Sequence, residues 1–207
     1  METLECIRTR RSIRSYTDQQ VEMEKIGNIL DAGRLAPSAG NLQAWKFILV
    51  TNDGSRKTIA EACMQQFWME EAPIHIIVCS ERAKVERMYD KKEVLYSTQN
   101  CAVAAENMLL AAHDQGLGAC MVCAIEEAAI RRLMKLPDGV VPEAIITVGY
   151  ADELPEPVPK YYIDNVTFLE KWGNRVADMA DFLGYHSHKI PETIKQVKKA
   201  IKKRLKK

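Results

Sequence analysis

No stretch of the chain is as strongly patterned as residues 94–115, which read as one long helix. Cys101, Ala104, Ala105, Met108, Leu109 and Ala112 recur at three- and four-residue steps and so share one side. The alanines on that side let another helix approach closely. "GLG" (116–118) ends the run, since glycine tolerates the left-handed conformation that follows a helix.

Shorter elements surround it. "VEMEKIGNILDAGRLAP" (21–37) has helical spacing that Pro37 stops. "KFILVT" (46–51) reads as a strand, the turn "NDGS" follows, and a helical stretch runs to about Trp68. "PIHIIVC" (73–79) reads as a buried strand. A strand near 119–124, a helix near 126–135, the turn "LPDG" and the strand "AIITVGY" (144–150) complete the pattern. The charged segment 80–93 reads as a solvated loop or helix face in preference to a lid, and "ADELPEPVPK" (151–160) as a surface loop.

Alternating strands and helices favour a parallel sheet in general, but these segments leave the pairing open. A dinucleotide-binding unit needs G-x-G-x-x-G between a strand and a helix; "GLGACM" has two of the glycines and runs from a helix into a strand. The chain also lacks G-x-x-x-x-G-K-[ST], the usual signature of ATP or GTP chemistry.

At 207 residues, 47% hydrophobic and 28% charged, the chain is expected to be a globular protein with a substantial core. It shows neither an apolar run of roughly 20 residues nor a signal-peptide core, so the expected location is cytoplasmic, without a membrane partner. The six cysteines, scattered in apolar company, suit reduced core thiols. Cys120-Met-Val-Cys123 lacks the second ligand pair of a zinc site and the polar context of a redox motif, so no metal site is expected. The net charge of +1 conceals eight Lys/Arg within 195–207. Without them, 21 basic residues face 28 acidic ones, which argues against a specific nucleic-acid partner.

"IRTRRSIRSY" (7–16) gathers Arg8, Arg10, Arg11 and Arg14. In an extended strand Arg10, Ser12 and Arg14 point one way, and Arg11 and Ile13 the other; burial of Ile13 fixes the register. Two guanidiniums flanking a hydroxyl suit a phosphate monoester, whereas solvated charges neutralising an acidic body are the plainer alternative. "APSAGNLQAWKF" (36–47) concentrates small residues and amides between a helix and a strand, where backbone can approach a flat heterocycle; an ordinary polar turn is the alternative.

Together "RRSIRSY", "APSAGNLQAWKF", "GLGACMVCAI" and "LPDGVVPEAIITVGYADE" resemble the FMN-dependent nitroreductase family over roughly residues 4–170. The resemblance implies an α+β nitroreductase-like fold: a mostly antiparallel central sheet flanked by helices, in an intertwined homodimer with FMN at the subunit interface. The long helix suits a dimer core and equally a buried position within one subunit. By position, Arg10, Arg11, Ser12 and Arg14 would hold the phosphate and ribityl chain. Pro37, Ser38, Ala39 and Asn41 would line the flavin from the other subunit. Gln65 would contact the ring, Cys123 and Ala124 would face N5 with backbone N–H, and Lys160 would reach the phosphate. Some relatives carry a lysine close to the position of Trp68, where it would stabilise an anionic reduced flavin; this chain does not.

The implied activity is an FMN-dependent oxidoreductase moving hydride from NADH or NADPH through flavin N5 to a small acceptor, such as a nitroaromatic or quinone, with ping-pong kinetics. No catalytic side chain is assigned. A specialised relative (flavin reductase, reductive dehalogenase or flavin-consuming enzyme) and a non-catalytic flavin-binding module are the alternatives. Residues 1–172 are expected to form the FMN-binding domain and 173–207 a helical extension. Its basic tail spaces Ile194, Val197, Ile201 and Leu205 on one helix face. Docking on the acidic body or the partner subunit is favoured there over a membrane surface or a nonspecific nucleic-acid contact.

Overall fold

A computed structural model describes residues 1–175; the basic tail lies outside the described residues. These residues divide into a unit spanning Met1–Glu156 and a second beginning at Pro157. In the first, α1 (Thr3–Thr9) and α2 (Met23–Arg34) precede β1 (Trp45–Val50) and α3 (Asp53–Ala62). Then come β2 (Ile74–Glu81), α4 (Arg82–Tyr89), α5 (Glu93–Asp114), β3 (Gly118–Val122), α6 (Glu127–Met134) and β4 (Val140–Gly149). The second unit's described part contains one helical turn, α7 (Ile163–Val166).

The four strands pair antiparallel throughout, in the order β1-β2-β4-β3. β2 is buried from Ile74 to Ser80 because helices cover both faces. Its side chains alternate accordingly. Ile74, Ile76 and Val78 meet Ile26 and Ile29 of α2 and Cys101, Ala104, Ala105, Met108 and Ala112 of α5. Ile77 and Cys79 meet Ile59 and Ala60 of α3 and Ile130 of α6. The inner side of α5 is therefore core within one subunit, as its spacing allowed. Its outward Val94, Leu95 and Val103 stay exposed, as do Leu4 and Ile7 of α1.

Two local irregularities shape the site. A bulge sets Val78 opposite Ala144 and Cys79 opposite Pro142, leaving Glu143 unpaired in the ladder. The Glu143 carboxylate accepts from Ser80 Oγ at 2.6 Å, Arg82 Nη2 at 3.1 Å and Thr98 Oγ1 at 3.0 Å, which ties the start of α4 to α5. The helical stretch expected to reach Trp68 stops at Ala62. Met64 and Gln65 turn to positive φ, and a 3-10 turn, Phe67–Glu71, returns the chain to β2.

Residues 10–14 run extended beside β3. Ser12 forms a parallel bridge with Ala119, Ile13 N donates to Ala119 O at 3.1 Å, and Ile13 is buried. The approach is close enough to demand glycine at 118, where a Cβ would lie 2.9 Å from three atoms of the Ile13 side chain. Gly118→Ala is expected to cost about 1–3 kcal/mol through overpacking. Urea denaturation checks it, and an unchanged midpoint would mean that the two strands are not in van der Waals contact.

Candidate functional site

The arginine strand is fixed along its backbone while its side chains remain available. Glu153 Oε1 accepts from the N–H groups of Arg14 (2.5 Å) and Ser15 (3.1 Å). Glu71 Oε2 accepts from Tyr16 N and Ser15 Oγ, each at 3.1 Å. The buried Tyr16 hydroxyl donates to Ile13 O at 2.6 Å and lies 2.7 Å from Thr147 Oγ1. Burial, the largest influence, pushes the Tyr16 phenol well above its ordinary pKa, so it stays neutral.

Arg10, Ser12 and Arg14 alternate with Arg11 and Ile13 along the strand, and all three act on Cys120. Burial raises the Cys120 thiol, while Arg14, a hydrogen bond from Ser12 and Arg10 pull it the other way. Among the described residues, Arg10 has only a loose partner, Glu106, at 3.7 Å. Arg14 is exposed, without an ion pair among the described residues, and its guanidinium stands 5.8 Å from the Trp68 ring centroid. Arg11 turns elsewhere: its Nη1 donates to Arg8 O at 2.9 Å and Arg10 O at 2.8 Å.

Trp68 is half-buried, packed against both Ile13 and the core under α3 and α6. His75 Nε2 lies 2.8 Å from Met69 O, and Arg56 Nη1 donates to Glu70 O at 2.6 Å and to Ala72 O. Together these bonds tie down the turn that follows Gln65. Gln65 is exposed at φ 57°. Cys123 and Ala124 lie exposed just past β3, and Glu126 N donates to Ala62 O at 2.7 Å, joining their segment to the end of α3. The arginine strand, the Gln65–Trp68 turn and the Cys123–Ala124 segment thus form one neighbourhood.

Pro37, Ser38, Ala39 and Asn41 form another. Gly40, Asn41 and Gln43 all have φ between 50° and 56°. Ser38 Oγ accepts from Gln43 N at 3.0 Å, Gln43 Nε2 donates to Asn41 Oδ1 at 3.0 Å, and Ala39 N donates to Asn100 Oδ1 of α5 at 2.9 Å. A Cβ at Gly40 would meet Tyr89 Oη at 2.8 Å and Met88 Sδ at 2.9 Å, so the end of α4 closes over this loop. Most of the segment 80–93 is accordingly a helix, α4, with a docked end.

The two neighbourhoods occupy diagonal corners of the sheet. Trp45, where the loop enters, pairs with Ser80 on one edge; Ala119, which bridges Ser12, lies across Val148 from Ile74 on the other. Three strand spacings across and six residues along make roughly 25 Å. Lys160, exposed, belongs to the second unit.

Thiol chemistry has little support. Burial drives Cys63, Cys79 and Cys101 up to about 12, and desolvation also raises the exposed Cys123. All six cysteines are free. Cys120 lies in β3 and Cys123 just beyond its end, too far apart along an extended chain to bridge. Among the described residues, no group of three or more His, Cys, Asp or Glu is placed to hold a metal, and no helix is long and apolar enough to cross a membrane.

An antiparallel sheet between helix layers, with an arginine strand at one corner and a strained amide loop at the other, defines a recognisable class. The family model described as the nitroreductase family matches residues 7–75 and 64–150, and the chain belongs to that family. A relative from Methanothermobacter thermautotrophicus, provisionally named NADH dehydrogenase/NAD(P)H nitroreductase, is 39% identical over 176 residues, covering 83% of this chain and 88% of its own. An FMN reductase [NAD(P)H] of Bacillus subtilis is 28% identical over 188 residues, covering 84% and 76% respectively. A crystal structure of a protein from Parabacteroides distasonis, named like the first, superposes with a TM-score of 0.74 at 32% identity, covering 83% of this chain and 99% of that one.

Proposed function

We propose that the chain is an FMN-dependent NAD(P)H oxidoreductase whose flavin sites are each completed by two copies of it. The observation that carries the reading is the diagonal separation of the two neighbourhoods: each has features suited to one end of a flavin nucleotide, and one chain holds them apart. A second copy brings the loop of one chain to the arginine strand of the other. The exposed Val94, Leu95, Val103, Leu4 and Ile7 give it an apolar surface on which to pack.

The residues fit FMN. Arg10 and Arg14 present donors that are weakly paired or unpaired beside the Ser12 hydroxyl, which suits a phosphate. The nearly rigid backbone beneath them spares the cost of ordering the strand on binding. Gln65 offers an amide to the ring edge, and the segment at Cys123–Ala124 offers backbone N–H groups. Pro37, Ser38, Ala39 and Asn41 bring small and amide groups from the partner. Where some relatives place a lysine, Trp68 stands, with the Arg14 guanidinium 5.8 Å from its ring centroid.

Bound FMN supplies the hydride chemistry, taking it from NADH or NADPH and passing it to a small acceptor such as a quinone or nitroaromatic. The chain orients the nicotinamide and then the acceptor over one exposed face, which makes the kinetics ping-pong. No side chain need serve as general acid or base. The purified protein is expected to be yellow, to bleach anaerobically with NADH or NADPH, and to recover colour on adding a quinone. Colour that neither nicotinamide nor a ferredoxin-type donor bleaches would establish a binding module. A colourless protein that cannot be reconstituted with FMN would contradict the proposal.

A further inference from the structure

We propose that Asn100 is the positioning residue for the loop that faces the flavin, acting through the Ala39 N–H; this rests on the FMN reading above. Asn100 lies on α5, 4% exposed, with Oδ1 accepting from Ala39 N at 2.9 Å. The loop above it is improbable for a free chain. Asn41 and Gln43 sit at φ 53° and 50°, with Gly40 at 56° before them. Side-chain-bearing residues held in that region cost of order 1–3 kcal/mol each and persist only where the surroundings impose the shape.

The bonds among Ser38, Asn41 and Gln43 tie the loop to itself, and Met88 with Tyr89 covers Gly40 from outside. Asn100 ties it to the body, because α5 is packed along the sheet by Cys101, Ala104, Ala105 and Met108. Packing alone does not account for an amide here. Asn100 Nδ2 and Ser97 Oγ, one turn apart on the same helix face, are both buried with no hydrogen-bond partner among the described residues. A buried amide that leaves half its capacity unused is a poor core residue. Its role is the half it uses, the acceptor that sets where the loop begins.

The test uses the full chain, titrated with FMN by fluorescence quenching and followed by visible circular dichroism of the bound ring. Asn100→Leu fills the same space without the acceptor and is expected to weaken FMN about tenfold, the effect of losing one hydrogen bond to a partly buried N–H, and to change the ring's ellipticity. Asn100→Asp keeps an acceptor oxygen in place and is expected to recover most of both. Ala39→Pro removes the donor from the other side of the bond. The first position of a helical turn accepts proline, and Ser38, at ψ 152°, already has the conformation that precedes one. It should reproduce the loss, and combining it with Asn100→Leu should add nothing further.

If Asn100→Leu lowers only the thermal stability of the apoprotein, with affinity and ellipticity unchanged, the residue is structural and the inference is wrong. It is equally wrong if the aspartate variant is as impaired as the leucine, or if the losses in the double variant add. A wild-type chain that takes up no FMN contradicts the functional reading, and this one with it.

Discussion

Replacing Arg10 and Arg14 together by alanine is expected to weaken FMN binding by roughly 10²- to 10⁴-fold. Each charge-assisted hydrogen bond to a phosphate contributes about 1.5–3 kcal/mol, and two are lost. The fold should survive, because neither guanidinium holds it together. Arg10 makes only the 3.7 Å contact with Glu106, and Arg14 packs over Trp68 without an ion pair among the described residues. The backbone that positions them is held by Glu71, Glu153 and Ala119, none of which the substitutions touch. Fluorescence titration measures the loss, and the denaturation midpoint of the apoprotein serves as the control. Unchanged affinity would return these arginines to the role of solvated countercharges.

A second large effect is expected in acid. His75 is fully buried, and its Nε2 faces the Met69 carbonyl, which can only accept, so the neutral ring carries its proton on Nε2. Nδ1 is buried with no partner among the described residues. Burial, the largest influence, lowers the pKa to about 4; the Met69 bond opposes this and the nearby Arg56 adds to it. In the unfolded chain the group titrates near 6.5. The unfolded state therefore binds more protons between these values. The stabilisation is complete above pH 6.5 and is lost as pH falls through the window toward 4. Its size is roughly 3 kcal/mol, from the linkage of about 1.4 kcal/mol per pKa unit. Carboxylates titrate at the acid end of the same range, so the diagnostic is the difference between wild type and His75→Gln in urea denaturation across pH. The variant should lose most of the slope between pH 6.5 and 5. Parallel curves would show that the ring is not neutral and buried in the native protein.

Much of the fold was legible because strong local patterns decided it. The spacing of Cys101 through Ala112 marked α5 to within a residue or two, and Pro37 marked the approach to the end of α2. Burial of Ile13 set the register of the arginine strand. The direction of strand pairing was not legible in the residues themselves, since β2 and most of β4 are buried and read the same whichever way they run; the family resemblance supplied it. The end of α3 was overrun because Met64 and Gln65 are ordinary helix formers and only the tertiary context turns them to positive φ.

Of the candidate site, the arginines and the amide loop were visible as composition, and the family resemblance supplied their roles. The residues that hold those groups in place were not visible. Glu71, Glu153, Arg56, His75 and Asn100 act through contacts 14 to 139 positions apart in sequence, apart from His75 and Met69. No spacing rule links such pairs. Glu143 is a similar case, because only the bulge turns its carboxylate toward Ser80, Arg82 and Thr98.

The central claim, that two copies of the chain complete each flavin site, is tested by building a hybrid from two defective parents. One parent carries Arg10→Ala and Arg14→Ala. The other carries Gly40→Val, which forces a β-branched residue to φ 56° against Tyr89 and Met88. Co-expressed with two affinity tags, the hybrid has one site with both defects and one with neither. The account predicts that each parent homodimer retains little FMN while the purified hybrid binds about one FMN per dimer. A hybrid as empty as its parents would place arginines and loop in the same chain's site and contradict the account.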